Sequence, residues 1–275
     1  MRLTTKIILG IILSVFIISL TFIIGFSFTD RKNQKHSYSN VIDLPQGNLI
    51  GIELAAFKTI LIDEIQLESN GYNYGLSDKC NIIFDSIPAD SNPEMLFIPG
   101  VLKEYIAVYT SDDTLTIKLN VPDLGEKFRT EAYRFQAISG VNLHFNISKL
   151  DIVSKAQSLS VNIKNIETDS IKVVSNGNIF IDSCKVLCIE PQLLNNYRNL
   201  KVSNCDVKRM NLDLDNIRNW NIENCNIEEE YMTGSKTHSI TQNKNEASTI
   251  NWNPKEKDAE LNIKIQGEPA KIIIQ

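Results

Sequence analysis

The sequence predicts an all-β chain: a parallel β-helix (β-solenoid) preceded by one N-terminal transmembrane helix. Three observations predict it. First, the stretches IFIDSCKV (179–186), LKVSNCDV (200–207) and WNIENCNI (220–227) share one frame, whose cysteines Cys184, Cys205 and Cys225 lie 21 and 20 residues apart. Self-similarity at such a period announces a solenoid. Second, beyond residue 48 the chain is filled with short alternating segments rich in Ile, Val, Thr and Tyr, the pattern of half-buried strands. Third, residues 7–29, IILGIILSVFIISLTFIIGFSFT, carry no charge.

The apolar run comes first. As a helix it is roughly 34 Å long, enough for a hydrocarbon core of about 30 Å. A cleaved signal peptide would have a shorter apolar region and a small-x-small site; Gly25-Phe26-Ser27 is a poor one. The first cysteine is Cys80, too distant for a lipid-modified residue behind a signal. Residues 1–29 are therefore expected to be an uncleaved single-pass anchor in the cytoplasmic (inner) membrane, touching the lipid bilayer through residues 7–29. Arg2 and Lys6 on one side nearly balance Arg31, Lys32 and Lys35 on the other. An N-terminal span with a short preceding tail exports the large domain behind it, so that domain is expected outside the membrane, in the periplasm. Five cysteines in no framework spacing argue against that placement.

Residues 30–48, DRKNQKHSYSNVIDLPQGN, are polar without a sustained period and read as a juxtamembrane linker. The solenoid domain is expected over 49–275. Its strands begin with LIGIEL, FKTILIDEIQLES, CNIIFDSI, EYIAVYT and TLTIKLNV, the last two joined as a hairpin by SDDT. A short helix is expected only within 124–140. From Val141 the pieces shorten and recur: VNLHFNISKLDIV, LSVNIKNIETD, SIKVVS, NIFIDSCKVLCIE, LKVSNCDV, MNLDL and WNIENCNI. Each turn stacks on the one before, so a frame position becomes a column with about 4.8 Å between members. Cys184, Cys205 and Cys225 form an inward column of small apolar fillers, with Ile166 at the same position of an earlier rung. Asn165, Ser183, Asn204 and Asn224 sit beside it at the corner, where Asn tolerates left-handed backbone and bonds along the stack.

A leucine-rich-repeat-like solenoid is the alternative, since YRNLKVSNCDV and IRNWNIENCNI fit L-x-x-L-x-L-x-x-N/C-x-L. That fold needs a helical return leg. KRMNLDLDNIRN (208–219) supplies an alternating strand instead. Residues 228–249 are expected to be a long exposed loop, and AELNIKIQG and PAKIIIQ are expected to close the solenoid as an end cap.

The entry FKTILIDEIQLES, the pair EYIAVYTSDDTLTIKLNVP, the link AISGVNLHF and the serial strands behind it resemble the bacterial "putative auto-transporter adhesin, head GIN domain" family and related adhesin β-solenoid domains. The resemblance covers 49–275, with ISG (138–140) and SNG (175–177) as its Ser-Gly turns. It implies a parallel β-helix at the bacterial envelope. The family has no established catalytic residues, so it assigns none here.

Composition excludes some functions. With 33 acidic against 28 basic residues, a net charge of −5 and no basic run interleaved with aromatics, no nucleic acid is expected. Three histidines are a thin supply for acid–base chemistry. No G-x-S-x-G, H-E-x-x-H, G-x-x-x-x-G-K or G-x-G-x-x-G occurs. Cys184 and Cys188 are spaced C-x₃-C, but their partners come singly in an apolar frame, so no metal and no cofactor is expected. The candidate ligand-binding residues are Asp206, Arg209, Asp213 and Asp215, beside Lys208 and Arg218. Asp213 and Asp215 alternate with Leu212 and Leu214, which would set both carboxylates on one strand face about 7 Å apart. Paired carboxylates suit a glycosidase, whereas mixed charges on outward strand positions ordinarily serve solubility. The sequence thus supports a structural or adhesin-like interaction module of the envelope without catalysis, with an envelope protein or glycan as partner. The alternative is a polysaccharide-active lyase or hydrolase.

Overall fold

The computed structural model describes residues 41–65, 71–85, 94–129, 135–146, 150–195, 197–217, 219–242, 247–265 and 271–274. The expected anchor at 7–29 and most of the expected linker lie outside these residues. Among the described residues no helix is long and apolar enough to cross a membrane. The chain divides into two compact units, Met1–Val41 and Ile42–Gln275, and the core lies in the second.

The described residues form an all-β, solenoid-like fold with long parallel sheets. In chain order the strands are β1 (Val41–Asp43), β2 (Leu49–Glu53), β3 (Thr59–Ile65), β4 (Asn73–Leu76), β5 (Asn81–Asp85), β6 (Met95–Pro99), β7 (Ile106–Ser111) and β8 (Thr114–Asn120). Helix α1 (Val121–Phe128) follows, then β9 (Phe135–Ser139), β10 (Asn142–Asn146), β11 (Leu150–Ser154), β12 (Ser160–Lys164), β13 (Glu167–Ser175), β14 (Ile179–Asp182) and β15 (Lys185–Leu193). The last are β16 (Asn199–Ser203), β17 (Asp206–Asp213), β18 (Asn219–Glu223), β19 (Asn226–Gly234), β20 (His238–Gln242), β21 (Thr249–Pro254), β22 (Leu261–Ile265) and β23 (Lys271–Ile274).

An eight-stranded sheet runs β18-β16-β14-β12-β5-β10-β6-β2, and a ten-stranded sheet runs β23-β21-β19-β17-β15-β13-β11-β3-β8-β7. From β11 to β19 the chain alternates strictly between them, each strand lying parallel on the equivalent strand of the preceding coil. The leg expected to discriminate the repeat type is strand β17, not a helix. Inward residues such as Ile163, Ile181, Val202 and Ile222 align across the coils and are buried. They belong to one apolar cluster, whose removal from water drives folding at roughly 25 cal/mol per Å2 of apolar surface.

Asn165, Ser183, Asn204 and Asn224 do occupy the corner, all with left-handed φ of 54° to 55°. The Asn224 amide donates to Asn204 Oδ1 at 3.4 Å, and the Asn204 amide donates to Asp182 Oδ1 at 2.9 Å. The cysteines stack inside that corner at 2%, 3% and 7% exposure. Each thiol donates to the carbonyl two residues earlier: Cys184 to Asp182 at 3.2 Å, Cys205 to Ser203 at 3.0 Å and Cys225 to Glu223 at 3.3 Å. Cysteine therefore fills the corner as a small apolar residue, and its thiol adds a second bond to a carbonyl that already accepts a backbone N–H of the neighbouring coil. Replacing Asn204 by valine should cost about 2 kcal/mol in urea denaturation, because a β-branched residue is strained in left-handed backbone and the ladder bonds are lost. Asn204→Gly should cost less.

The structure departs from the expected serial stacking in one place. The coil β3-β4-β5 lies between the coil β8-α1-β9-β10 and the strands β11 and β12: β3 sits between β8 and β11, and β5 between β10 and β12. The chain's first coil is thus inserted between its second and third. Four further expectations are corrected. The linker ends earlier than residue 48, since β1 pairs with β9 and buries Ile42 and Leu44. Helix α1 begins at Val121, where Asn120 Oδ1 accepts the Asp123 N–H at 3.2 Å and proline occupies the first turn. Residues 228–249 are not a long loop, because β19 and β20 run through them and Glu230 points inward at 1% exposure. The end cap is incomplete: β22 and β23 form, but Ile272 and Ile274 stay exposed. The expected hairpin does form between β7 and β8, with Asp112 and Asp113 both at positive φ as a tight primed turn requires.

Candidate functional site

The outer face of the ten-stranded sheet collects the candidate residues. In β13, β15, β17 and β19 the ladder pairing skips Asp169, Leu187, Lys208 and Glu228. Strict alternation breaks there, and two consecutive side chains point away from the core in each strand. These breaks line up from coil to coil. They bend the sheet and leave shallow hollows on its outer side.

Asp206 opens β17, in register between Lys185 and Asn226. It accepts a hydrogen bond from the Asn226 amide at 3.0 Å. It lines a hollow of about 490 Å3 with Glu167, Asp169, Lys185, Leu187 and Lys208. Across its rim Lys185 Nζ meets Glu167 Oε1 at 3.0 Å, an exposed pair worth little in water.

Arg209 and Asp213 line a second hollow of about 400 Å3, with Lys172, Glu190, Asn211 and Tyr231. The Arg209 guanidinium lies 3.9 Å over the Tyr231 ring, while its Nε donates to Asn211 Oδ1 at 2.8 Å. The Asn211 amide in turn donates to Glu190 Oε1 at 2.7 Å. Stacking and this chain of bonds hold Arg209 in one orientation, so the hollow is organised before any ligand arrives.

Asp213 and Asp215 do not project from one strand face. Asp213 ends β17, and Asp215 lies in the turn behind it. Asp213 Oδ1 accepts the Asp215 N–H at 3.2 Å and Oδ2 accepts the Asn216 amide at 2.6 Å, which fixes that turn. Both carboxylates converge on Lys255 Nζ, at 2.6 Å from Asp213 and 3.0 Å from Asp215. Asp215 also takes the Ser235 N–H on both oxygens at 3.0 Å and stands 3.2 Å from His238 Nε2. The His238 ring packs edge-on to Trp252. Arg218 lies outside the described residues.

Partial burial works against ionised Asp215, but the bonds from Ser235, Lys255 and His238 outweigh it and hold the carboxyl far below its usual range. A carboxyl depressed in the folded state contributes stability that is present above the unfolded value of about 3.9 and lost as pH falls through the folded one. Burial likewise opposes the Lys255 ammonium, yet the two carboxylates raise it; its contribution is present below the unfolded value and lost as pH rises through the folded one. Lys255→Met should therefore lower stability by about 1 kcal/mol at neutral pH, discounted for its solvent contact, and move the acid-unfolding midpoint upward.

The sequence reading missed Lys255, Ser235, His238 and Tyr231. A signal for two of them existed: Asp215, Ser235 and Lys255 follow the same 20-residue spacing as Cys205 and Cys225. Reading 228–249 as a loop hid it. Among the described residues no group of three or more His, Cys, Asp or Glu side chains is arranged to hold a metal. The Cys205 thiol is pushed up to about 11 by its contact with Cys184. Alkylation at pH 8 should accordingly label the native protein at Cys188 alone and the denatured protein at five cysteines.

No family model and no curated protein matches the chain. Solved structures do. A "putative adhesin" from Bacteroides fragilis shares 17% identity over 85% of this chain and 100% of that one, with a TM-score of 0.46. A "putative adhesin" from Parabacteroides distasonis shares 14% over 86% and 100%, with a TM-score of 0.45. A "putative lipid binding protein" from the same organism shares 13% over 86% and 99%, with a TM-score of 0.30. Two of these structures are described as putative adhesins, and none of the descriptions mentions a head GIN domain.

Proposed function

We propose that the chain is a non-catalytic interaction module: a parallel β-helix anchored in the cytoplasmic membrane by residues 7–29, displayed on the periplasmic side, and binding a hydroxyl-rich envelope glycan on the outer face of its ten-stranded sheet. The observation that carries the reading is the capture of Asp213 and Asp215 by Lys255. A polysaccharide-cleaving pair needs one carboxylate to hold a proton and the other to attack or activate water. Here both carboxylates are bonded to one ammonium, and the bonds to Asp215 hold its carboxyl well below its usual range.

What remains beside them is a recognition surface. Glu190, Asn211, Gln192, Thr233 and Asn253 offer donors and acceptors along the second hollow, and Arg209 on Tyr231 supplies a flat, amphipathic element. The charges there are mixed in sign, which disfavours a strongly anionic polymer and suits a neutral one. Binding should be read on a panel of envelope glycans with the purified full-length protein. Tyr231→Ala and Arg209→Ala should each weaken the best binder about tenfold, with no product formed from any glycan. Turnover that disappears in Asp213→Asn would replace this reading with the enzymatic one. Orientation is tested by protease access to a C-terminal tag: cleavage in spheroplasts before lysis, at full-length mass, is expected.

A further inference from the structure

The hollow that holds Arg209 and Tyr231 has a direction. Its lining residues come from five neighbouring strands of the ten-stranded sheet, β13, β15, β17, β19 and β21. With about 4.8 Å between strands it is roughly 19 Å long across the sheet. On β13, β15 and β19 it takes in only three residues along the strand, roughly 7 Å. It is therefore a trough that crosses the strands and follows the stacking of the coils.

Each of the three middle strands puts two polar side chains into this trough, two residues apart: Glu190 and Gln192 from β15, Asn211 and Asp213 from β17, Tyr231 and Thr233 from β19. Asn211 stands in register with Tyr231, and Asp213, Thr233 and Asn253 stand in register on β17, β19 and β21. Stacking thus presents a hydrogen-bonding pair once per coil. Glu190 and Asp213 use part of their capacity internally, on Asn211 and Lys255. Among the described residues the side chains of Gln192, Thr233 and Asn253 make no hydrogen bond, so each can exchange water for a ligand. Toward β11 the lining turns charged, with Lys58, Asp151 and Lys172 in the adjoining hollow. The ladder with uncharged members ends there.

A ladder repeated once per coil fits a polymer that repeats at the same interval. An extended peptide advances about 3.3–3.4 Å per residue and falls out of step with strands about 4.8 Å apart. An anionic polymer meets Glu190 and Asp213. An α-1,4-linked glycan coils away from a straight trough. An extended β-1,4-linked pyranose chain advances by nearly one coil spacing per sugar, with hydroxyls along its edges and apolar C–H faces between them. Resting on the reading of this face as a glycan-binding surface, we propose that its ligand is an uncharged β-1,4-linked glycan lying across the strands, one sugar per coil over β15, β17, β19 and β21. The two middle sugars rest on the Arg209–Tyr231 stack, whose flat faces suit C–H contact. The end sugars bond to Gln192 and Asn253.

The test is calorimetric titration of the full-length protein with chito-oligosaccharides and cello-oligosaccharides of two to six sugars, and with maltohexaose as the α-linked control. For the better β-linked series, Kd should fall at least about tenfold from two sugars to four and change less than about twofold from four to six. Gln192→Ala and Asn253→Ala, both at exposed positions, should each weaken the tetrasaccharide about fivefold. Neither should alter binding of the disaccharide, which sits on Arg209 and Tyr231. Maltohexaose binding as tightly as the β-linked hexamers, an affinity independent of length, or a tetrasaccharide indifferent to both end variants would each overturn this placement while the glycan reading stands. No binding of any glycan, in these series or in the envelope panel, would overturn both.

Discussion

Replacing Phe84 by alanine is expected to cost about 3–5 kcal/mol of unfolding free energy, the range for a buried aromatic truncated to a methyl group. Phe84 is fully buried in β5, and its ring stacks on Phe145 of β10 at a centroid distance of 4.8 Å and an angle of 18°. The two residues are directly in register on neighbouring parallel strands, although 61 positions apart in the chain. The first and second coils are neighbours here, and the stacked rings carry the contact between them. The Phe84→Ala, Phe145→Ala double-mutant cycle should therefore show a coupling of roughly 0.5–1.5 kcal/mol in urea denaturation. Additive losses would place the two rings apart.

Gly177→Ala should be as damaging, by a different route. Gly177 turns the chain between β13 and β14, and a Cβ there would stand 2.1 Å from the Leu159 carbonyl oxygen, 2.5 Å from its carbon and 3.0 Å from the Ser160 nitrogen. These are backbone atoms of the preceding coil. The Ser160 N–H is committed to the Cys80 carbonyl at 3.0 Å, so relief requires two coils to separate. Overpacking against side chains costs about 1–3 kcal/mol; against backbone the loss should reach at least the top of that range. Gly47→Ala, with nothing within 4 Å of the added carbon, should stay within about 0.5 kcal/mol. Equal effects of the two substitutions on the midpoint of urea denaturation would contradict the close coil approach at Gly177.

The parts of the fold that were legible in the sequence are those in which each coil repeats the last. The Asn204 and Asn224 corners, the cysteine column and the return strand β17 follow from a frame position recurring every 20 or 21 residues, because stacking turns a period into a column. The inserted first coil was not legible. β5 and β10 carry the same inward alternation as their neighbours, and parallel strands of like pattern do not announce which of them lies adjacent. The stretch 228–249 misled for a different reason. Glu228 and Glu229 mark the sheet's bend, where two side chains in succession face outward, and Glu230 takes an inward column position that alternation reserves for apolar residues. Of the candidate site, the sequence located Arg209 and Asp213 on one face. It set Asp215 on the same strand, since nothing local says that β17 ends at Asp213. It passed over Lys255, which meets both carboxylates only because two further coils bring it back to them.

The order of coils is tested most directly by disulfide trapping between outward positions of the eight-stranded sheet, in a Cys188→Ser background. Ile83 of β5 stands opposite Asn162 of β12, and His144 of β10 opposite Ile83. Neighbouring strands are about 4.8 Å apart and next-nearest strands about twice that, beyond disulfide reach. The Ile83→Cys, Asn162→Cys pair should close on mild oxidation, whereas the His144→Cys, Asn162→Cys pair should remain reduced; the reverse result would restore the serial stack and contradict the inserted coil.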